Sequence, residues 1–151
     1  EAAKYHLVLA GSPGWERREL YHRVRSSPAR EAIHLIGFVA EADKPALYGL
    51  ASVLVYPSLY EGFGFPPLEA MACGVPVIVS HSSSLPEIVG DAGILIDPYR
   101  PQELLDALSA LLTDRELSKS LSEKGRARAR AFSWEKAAQE TLDVLEEVAK
   151  R

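Results

Sequence analysis

The stretch from Val53 to Ser80, VLVYPSLYEGFGFPPLEAMACGVPVIVS, constrains the fold of this chain more than any other. Val53 to Tyr56 is a short apolar run ended by Pro57 and reads as a strand. The two glycines of Glu61-Gly62-Phe63-Gly64 make a loop, Pro66 and Pro67 stand where a helix begins, and Leu68 to Cys73 continue it. Gly74 ends that helix before a second apolar run, Val75 to Val79. A strand–loop–helix–strand unit gathers backbone N–H groups at the loop-to-helix junction, a place suited to a phosphate or another anion. Two carboxylates, Glu61 and Glu69, bracket it.

The rest of the chain repeats the alternation. Tyr5 to Ala10, Ile33 to Ile36 and Ile94 to Ile96 read as strands, the first ended by the turn-rich Gly11-Ser12-Pro13-Gly14. Helices are expected from Trp15 to Val24 and from Asp43 to Ala51, the second with Leu47, Leu50 and Ala51 inward. A helical turn is expected over Leu85 to Val89. Pro101 opens a helix whose stripe is Leu104, Leu105, Leu108, Leu111 and Leu112. Thr113 and Glu116 have capping-box spacing for a helix from Asp114, with Leu117, Leu121 and Gly125 inward. Ser133 caps a last helix whose face continues through Leu142, Leu145 and Val148. Strands alternating with helices, and middle strands apolar on both faces, predict a doubly wound, mostly parallel α/β domain over residues 1–151.

Composition narrows the function classes. A chain of 151 residues can hold one domain with a real core but hardly two, and 47% hydrophobic with 25% charged residues is the composition of a soluble globular protein. With a formal net charge of -4 and its basic residues spread out, the chain is not expected to bind nucleic acid. Arg126, Arg128 and Arg130 read as a solvated helical face. The single cysteine, Cys73, excludes an internal disulfide and reads as a small core residue. His6, His22 and His34 show no metal-ligand spacing with Cys73, so no protein-bound metal is expected. No segment is long and apolar enough to span a bilayer, and no signal peptide is visible. The first residue is Glu1, and a strand follows almost at once, so the chain is expected to be the interior or tail of a longer polypeptide.

The chain resembles the carboxy-terminal, donor-binding domain of the family-4 retaining glycosyltransferases (glycosyltransferase group 1), which have the two-Rossmann-domain GT-B architecture. The most specific part is Pro57 to Ile78, PSLYEGFGFPPLEAMACGVPVI, which carries the family's two glutamates, Glu61 and Glu69, seven residues apart. Ser83 to Gly93 and Phe132-Ser133-Trp134 also fit. The resemblance implies a Rossmann-like fold, no cofactor, and a nucleotide-diphosphate sugar donor, UDP- or GDP-hexose, transferred with retention of configuration. It places the acceptor largely on an amino-terminal partner domain. Carried over by position, Glu61 is the catalytic residue, accepting hydrogen bonds from donor-sugar hydroxyls. Gly62, Phe63 and Gly64 present N–H groups around the sugar and diphosphate, and Glu69 holds the ribose hydroxyls. Leu68 or Pro67 presses on the nucleotide, and Gly37, with Ile36 and Phe38, lines the base pocket.

The chemistry of these residue types agrees. A carboxylate only accepts, so it pairs with vicinal hydroxyls, and glycine lets the backbone approach a ligand closely. A helix start places partial positive charge beside a leaving diphosphate. Plainer readings stand beside these: Glu69 as a favourable acid early in a helix, Glu61 as an exposed loop charge, and the glycines as a tight turn. His81 reads as a surface residue as readily as a ligand contact. Tyr56 and Tyr60 read as core or rim residues.

Two departures from the family pattern matter. The family's domain begins with a further strand and helix carrying a basic pair that grips the diphosphate, and its amino-terminal domain precedes those; neither is in this sequence. In a doubly wound sheet that strand lies between Tyr5–Ala10 and Val53–Tyr56, so two unpaired edges are expected there. Direct pairing of those strands, a second copy in the gap, or chain outside this sequence are the three resolutions, the last favoured. The 151 residues alone are therefore expected to be inactive or nearly so. Smaller departures are Phe65, where leucine is usual, and Arg100, unfavourable beside a helix amino terminus. A non-catalytic nucleotide-sugar-binding or regulatory module, and a homo-oligomer built through the unpaired strand edges, are the alternatives. A cytoplasmic location, including peripheral association with the inner face of the membrane, is as far as the sequence reaches.

Overall fold

The computed structural model describes residues 4–12 and 17–150, which fall into two units, one ending at Lys44 and one running from Pro45. In the first unit, strand β1 (Leu7–Ala10) pairs in parallel with β2 (Ile33–Gly37), the chain crossing between them through helix α1 (Arg17–Ser26) and a 3-10 turn at Arg30–Ala32. Gly37 closes β2 at φ +70°, a left-handed conformation that glycine adopts without steric cost. Its carbonyl accepts from the Gly11 N–H at 2.8 Å. Pro13 and Gly14 of the expected turn and Trp15 at the expected helix start lie outside the described residues.

The second unit follows from α2 (Lys44–Leu50) as β3 (Leu54–Tyr56), α3 (Phe65–Ala72), β4 (Val77–Ser80), α4 (Leu85–Val89), β5 (Ile94–Ile96), α5 (Pro101–Thr113), α6 (Arg115–Ala129) and α7 (Trp134–Ala149). Its sheet has the order β3-β4-β5 with both pairs parallel. The central strand β4 is buried along its whole length, as an apolar run covered on both faces requires. Val77 and Val79 join a cluster with Met71, Leu85 and Val89, whereas Ile78 joins Ile96, Leu111 and Leu121. Alternate side chains of one strand therefore feed two cores. Full burial of each such side chain contributes roughly 1.5–3 kcal/mol. Helix α6 lies against α3 at Gly125, where an added Cβ would come within 3.2 Å of Met71.

This is the mostly parallel, Rossmann-like α/β arrangement expected. The sheet is in two parts, however: β1 hydrogen-bonds only to β2 and β3 only to β4 among the described residues. Each unit thus has an unpaired strand edge among the described residues, that of β1 in the first and that of β3 in the second.

Several local expectations are corrected. Leu50 is 87% exposed and Ala51 is exposed, whereas Tyr48 packs on the core; the short α2 turns its Leu47–Tyr48 side inward. Leu105 is 58% exposed and Ala107 takes the buried place in α5. Arg126 and Arg130 are exposed, as expected of a solvated face, but Arg128 is half-buried. The Arg126 side chain lies over Gly74 and donates to Ser122 Oγ, while Arg128 donates to the Glu87 and Ile88 carbonyls at the end of α4. Arg100, unfavourable by helix polarity, pairs with Asp97 and Glu103 at 3.3 Å each, which offsets its position. Ser133 caps α7 as expected, accepting from the Lys136 N–H at 3.1 Å.

The α6 cap also differs. Thr113 stays helical and gives its hydroxyl to the Ser109 carbonyl, while the extended Asp114 accepts from the Leu117 N–H at 3.0 Å. A residue in extended backbone can turn its side chain onto the first helical N–H groups, and Asp114 holds that position. Asp114→Ala is accordingly expected to lower stability by about 1 kcal/mol and Thr113→Ala by well under half of that. Urea denaturation of the two variants measures the difference; equal costs would restore Thr113 as the cap.

Candidate functional site

The loop from Pro57 to Gly64 leaves the carboxyl end of β3 and enters α3, and its shape is imposed by the serines that follow β4. Ser80, fully buried at the end of β4, donates its hydroxyl to the Ser58 carbonyl, which Ser82 also reaches at 3.2 Å. Ser83, at φ +51°, accepts the Glu61 N–H at 2.9 Å. Ser84 Oγ lies 3.1 Å from the Glu61 carbonyl and 2.6 Å from the Phe63 carbonyl, on which its single proton is placed. These contacts span more than 20 residues of sequence and clamp the carbonyls of the loop toward the protein. Each is worth about 1 kcal/mol net. The sequence reading gave Ser82, Ser83 and Ser84 no role in shaping the loop. Three consecutive serines opposite a glycine loop are the one sequence signal that points to it.

With its carbonyls engaged, the loop leaves N–H groups over. Those of Gly62, Phe63, Gly64 and Phe65 have no acceptor among the described residues. Gly64 caps α3 at φ +114°, and a Cβ there would meet Leu85 at 2.8 Å, so glycine is required for both conformation and space. The junction differs from the sequence reading in one respect. Helix α3 begins at Phe65, which puts Pro66 and Pro67 at its second and third positions, where they have no N–H to offer. The free donors at the junction therefore belong to the loop and to Phe65, not to the helix's first turn as a whole. Pro67 is fully buried, which removes it as a nucleotide contact; Leu68 is half-buried and packs on the core cluster.

Both carboxylates are held by tyrosines. Tyr56 donates its hydroxyl to Glu61 Oε1 at 2.6 Å, and Tyr48 donates to Glu69 Oε2 at 2.9 Å. Tyr56, read beforehand as core or rim, is half-buried and does both: its ring packs on the core and its oxygen reaches the loop. Glu61, Gly62, Phe63, Gly64, Leu68 and Glu69 are thus assembled on one strand–loop–helix segment of the second unit. Gly37 belongs to the first unit, where Ile36 and Phe38 beside it are exposed. His81 is exposed, its N–H donating to Ile96. Phe65, an exposed departure from the family pattern, packs tilted against Phe63 and stacks on Trp134 at centroid distances of 4.7 and 6.1 Å. An open concavity lined by Arg18, Tyr21, His22 and Arg25 lies on α1 in the first unit and contains none of these residues. Among the described residues, no three His, Cys, Asp or Glu side chains cluster as metal ligands, and no helix is long and apolar enough to cross a membrane.

Burial, then the hydrogen bond to Glu61 and its negative charge, push the Tyr56 phenol up from its ordinary 10.0 to about 12. It therefore stays a donor throughout the neutral range. Between those two values the unfolded chain loses a proton that the folded chain keeps, so this contribution to stability is complete below pH 10 and is lost as the pH rises through 12. Ultraviolet titration of the phenolates is expected to show a component displaced to about 12 that Tyr56→Phe removes. A Tyr56→Phe titration superimposable on that of the wild type would contradict the assignment.

Comparison with known proteins places this chain in a family. The profile of the group 1 glycosyl transferases matches residues 1–128. O-antigen chain mannosyltransferase B of Escherichia coli is 41% identical over 140 residues, 93% of this chain and 37% of its own. Among solved structures, sucrose-phosphate synthase from Thermosynechococcus elongatus superimposes with a TM-score of 0.85 at 31% identity, covering 96% of this chain and 39% of that one. The C-terminal domain of a glycosyl transferase group 1 family protein (LpcC) from Francisella tularensis gives a TM-score of 0.67 at 32% identity, covering 76% and 60%. The chain thus spans well under half the length of the full-length relatives it matches, and its fold is that of the Rossmann-like carboxy-terminal half of a GT-B protein. With its two tyrosine-held glutamates and its clamped glycine loop, it belongs to the group 1 glycosyl transferases.

Proposed function

We propose that this chain is the donor-binding part of a retaining, family-4 type glycosyltransferase that moves a hexosyl group from a UDP- or GDP-sugar to an acceptor. The observation that carries the reading is the row of four N–H groups, Gly62 to Phe65, left without acceptors between two glutamates whose orientation is fixed. An anionic diphosphate satisfies such a row, and each carboxylate suits hydroxyls. In this reading Glu69 takes the ribose hydroxyls, Glu61 the sugar hydroxyls, and Gly37 the edge of the base. Leu68 supports the nucleotide face. The mannosyltransferase relative supports a hexosyl donor.

Catalysis in this reading is electrostatic and positional. As the bond between the anomeric carbon and the diphosphate oxygen breaks, negative charge grows on the diphosphate. The N–H row meets that charge without reorganisation, because the serine contacts already fix the loop. Glu61 holds the sugar hydroxyls so that the acceptor oxygen approaches a fixed carbon. The acceptor-binding amino-terminal domain and the basic pair expected before β1 lie outside this sequence, so the 151 residues alone are inactive in this account. This reading places the protein in the cytoplasm, a location that includes peripheral association with the inner face of the membrane.

A second reading rests on the unpaired edges of β1 and β3: a non-catalytic module that assembles through them. Calorimetric titration of the full-length protein with UDP-glucose and GDP-mannose separates the two. One donor is expected to bind, and Glu69→Ala to weaken it at least about ten-fold. Binding of neither donor, with a tight oligomer in solution, would favour the module instead.

A further inference from the structure

We infer that Tyr56 and Tyr48 are positioning residues, each orienting one of the two glutamates from a ring anchored in the core. The inference rests on the donor-site reading above and adds to it the groups that set the carboxylate geometry. A glutamate has three rotatable side-chain bonds, and one on a loop or in a short helix samples several rotamers. Here the hydroxyl donors come from other elements. Tyr56 ends β3, opposite Val79 of β4, and Tyr48 sits on α2. Both rings pack on the cluster that holds Met71, Val79 and Leu85. The Tyr56 contact at 2.6 Å has the length of a charge-assisted hydrogen bond, and the Tyr48 contact at 2.9 Å that of an ordinary one.

The two donors are independent. Tyr56 lies five residues before Glu61 and Tyr48 lies 21 before Glu69, so neither contact is a by-product of helical spacing. At Glu61 the consequence is specific. Tyr56 occupies Oε1, and Oε2 has no protein partner among the described residues, so one oxygen is committed and the other is presented. The phenol, displaced upward by burial and by the carboxylate, keeps its proton throughout the neutral range. A tyrosine that only filled the core would need no hydroxyl directed at the motif's glutamate.

A purely structural tyrosine and a positioning one differ in which ligand they affect. On the full-length protein, the affinities of UDP and UDP-glucose, or of GDP and GDP-mannose, are measured by calorimetry for Tyr56→Phe, Glu61→Gln and the double variant. Tyr56→Phe is expected to weaken the sugar nucleotide about ten-fold while leaving the free nucleotide within about two-fold. In the Glu61→Gln background the same change is expected to have almost no further effect, because it acts through that carboxylate. Tyr48→Phe provides an independent arm. It is expected to weaken nucleotide and sugar nucleotide together and to reduce the preference for UDP over 2′-deoxy-UDP, or for GDP over 2′-deoxy-GDP. Both substitutions keep the packed ring, and thermal melting monitors the fold. Losses from Tyr56→Phe that are equal for nucleotide and sugar nucleotide, or that persist undiminished in Glu61→Gln, would overturn the positioning role. Wild-type protein that binds neither ligand of either pair would overturn the donor-site reading itself.

Discussion

The site depends on the clamp between the serines after β4 and the loop after β3. A glycine-rich loop is entropically expensive to fix, because glycine has the largest backbone freedom to lose. The clamp takes up the Ser58 and Phe63 carbonyls and the Glu61 N–H, and holds Ser84 Oγ 3.1 Å from the Glu61 carbonyl. What it leaves is a run of N–H groups pointing nowhere within the described protein. The donors proposed to meet a diphosphate are thus a remainder: the groups that the fold does not use for itself.

The clamp is only as rigid as the strand that carries it. Strand β4 is buried throughout and is flanked on both sides by parallel partners, so Ser80 at its end has a fixed position. The same cluster that buries Val77 and Val79 seats the rings of Tyr48 and Tyr56, which reach outward to the glutamates. Helix α3 is held from the other direction by α6, whose Gly125 admits Met71 at contact distance. Core packing, loop conformation and carboxylate orientation therefore form one chain of dependence. A cavity beneath Leu85 would disturb the site as surely as a change in it, because Leu85 touches the space that Gly64 leaves open.

How much was legible in the sequence follows from the range of each interaction. The run of β3, α3 and β4 was readable because Pro57, Gly74 and the apolar runs are local signals. The same holds for Ser133, whose cap acts within three residues. Thr113 misled because Thr113 and Glu116 have capping-box spacing one residue ahead of the true cap, and only the extended backbone at Asp114 marks that position. Leu50 and Leu105 misled because a helix of limited length has an inner face set by its neighbours, not by its leucines. The tyrosine and serine contacts to the loop were not legible: they pair residues up to 24 apart, and a hydroxyl carries no periodicity. The arginines of α6 looked like a charged surface, yet Arg128 terminates α4, from 40 residues away.

The central claim is that the free N–H groups of Gly62, Phe63, Gly64 and Phe65 receive the diphosphate. Amide chemical shifts in a nitrogen-15 labelled sample of the full-length protein, followed as UDP or GDP is added, test it most directly. The account predicts that these four amides move furthest and downfield on binding, as N–H groups do when they gain an anionic acceptor. Nucleotide that binds while these four resonances stay in place would contradict it.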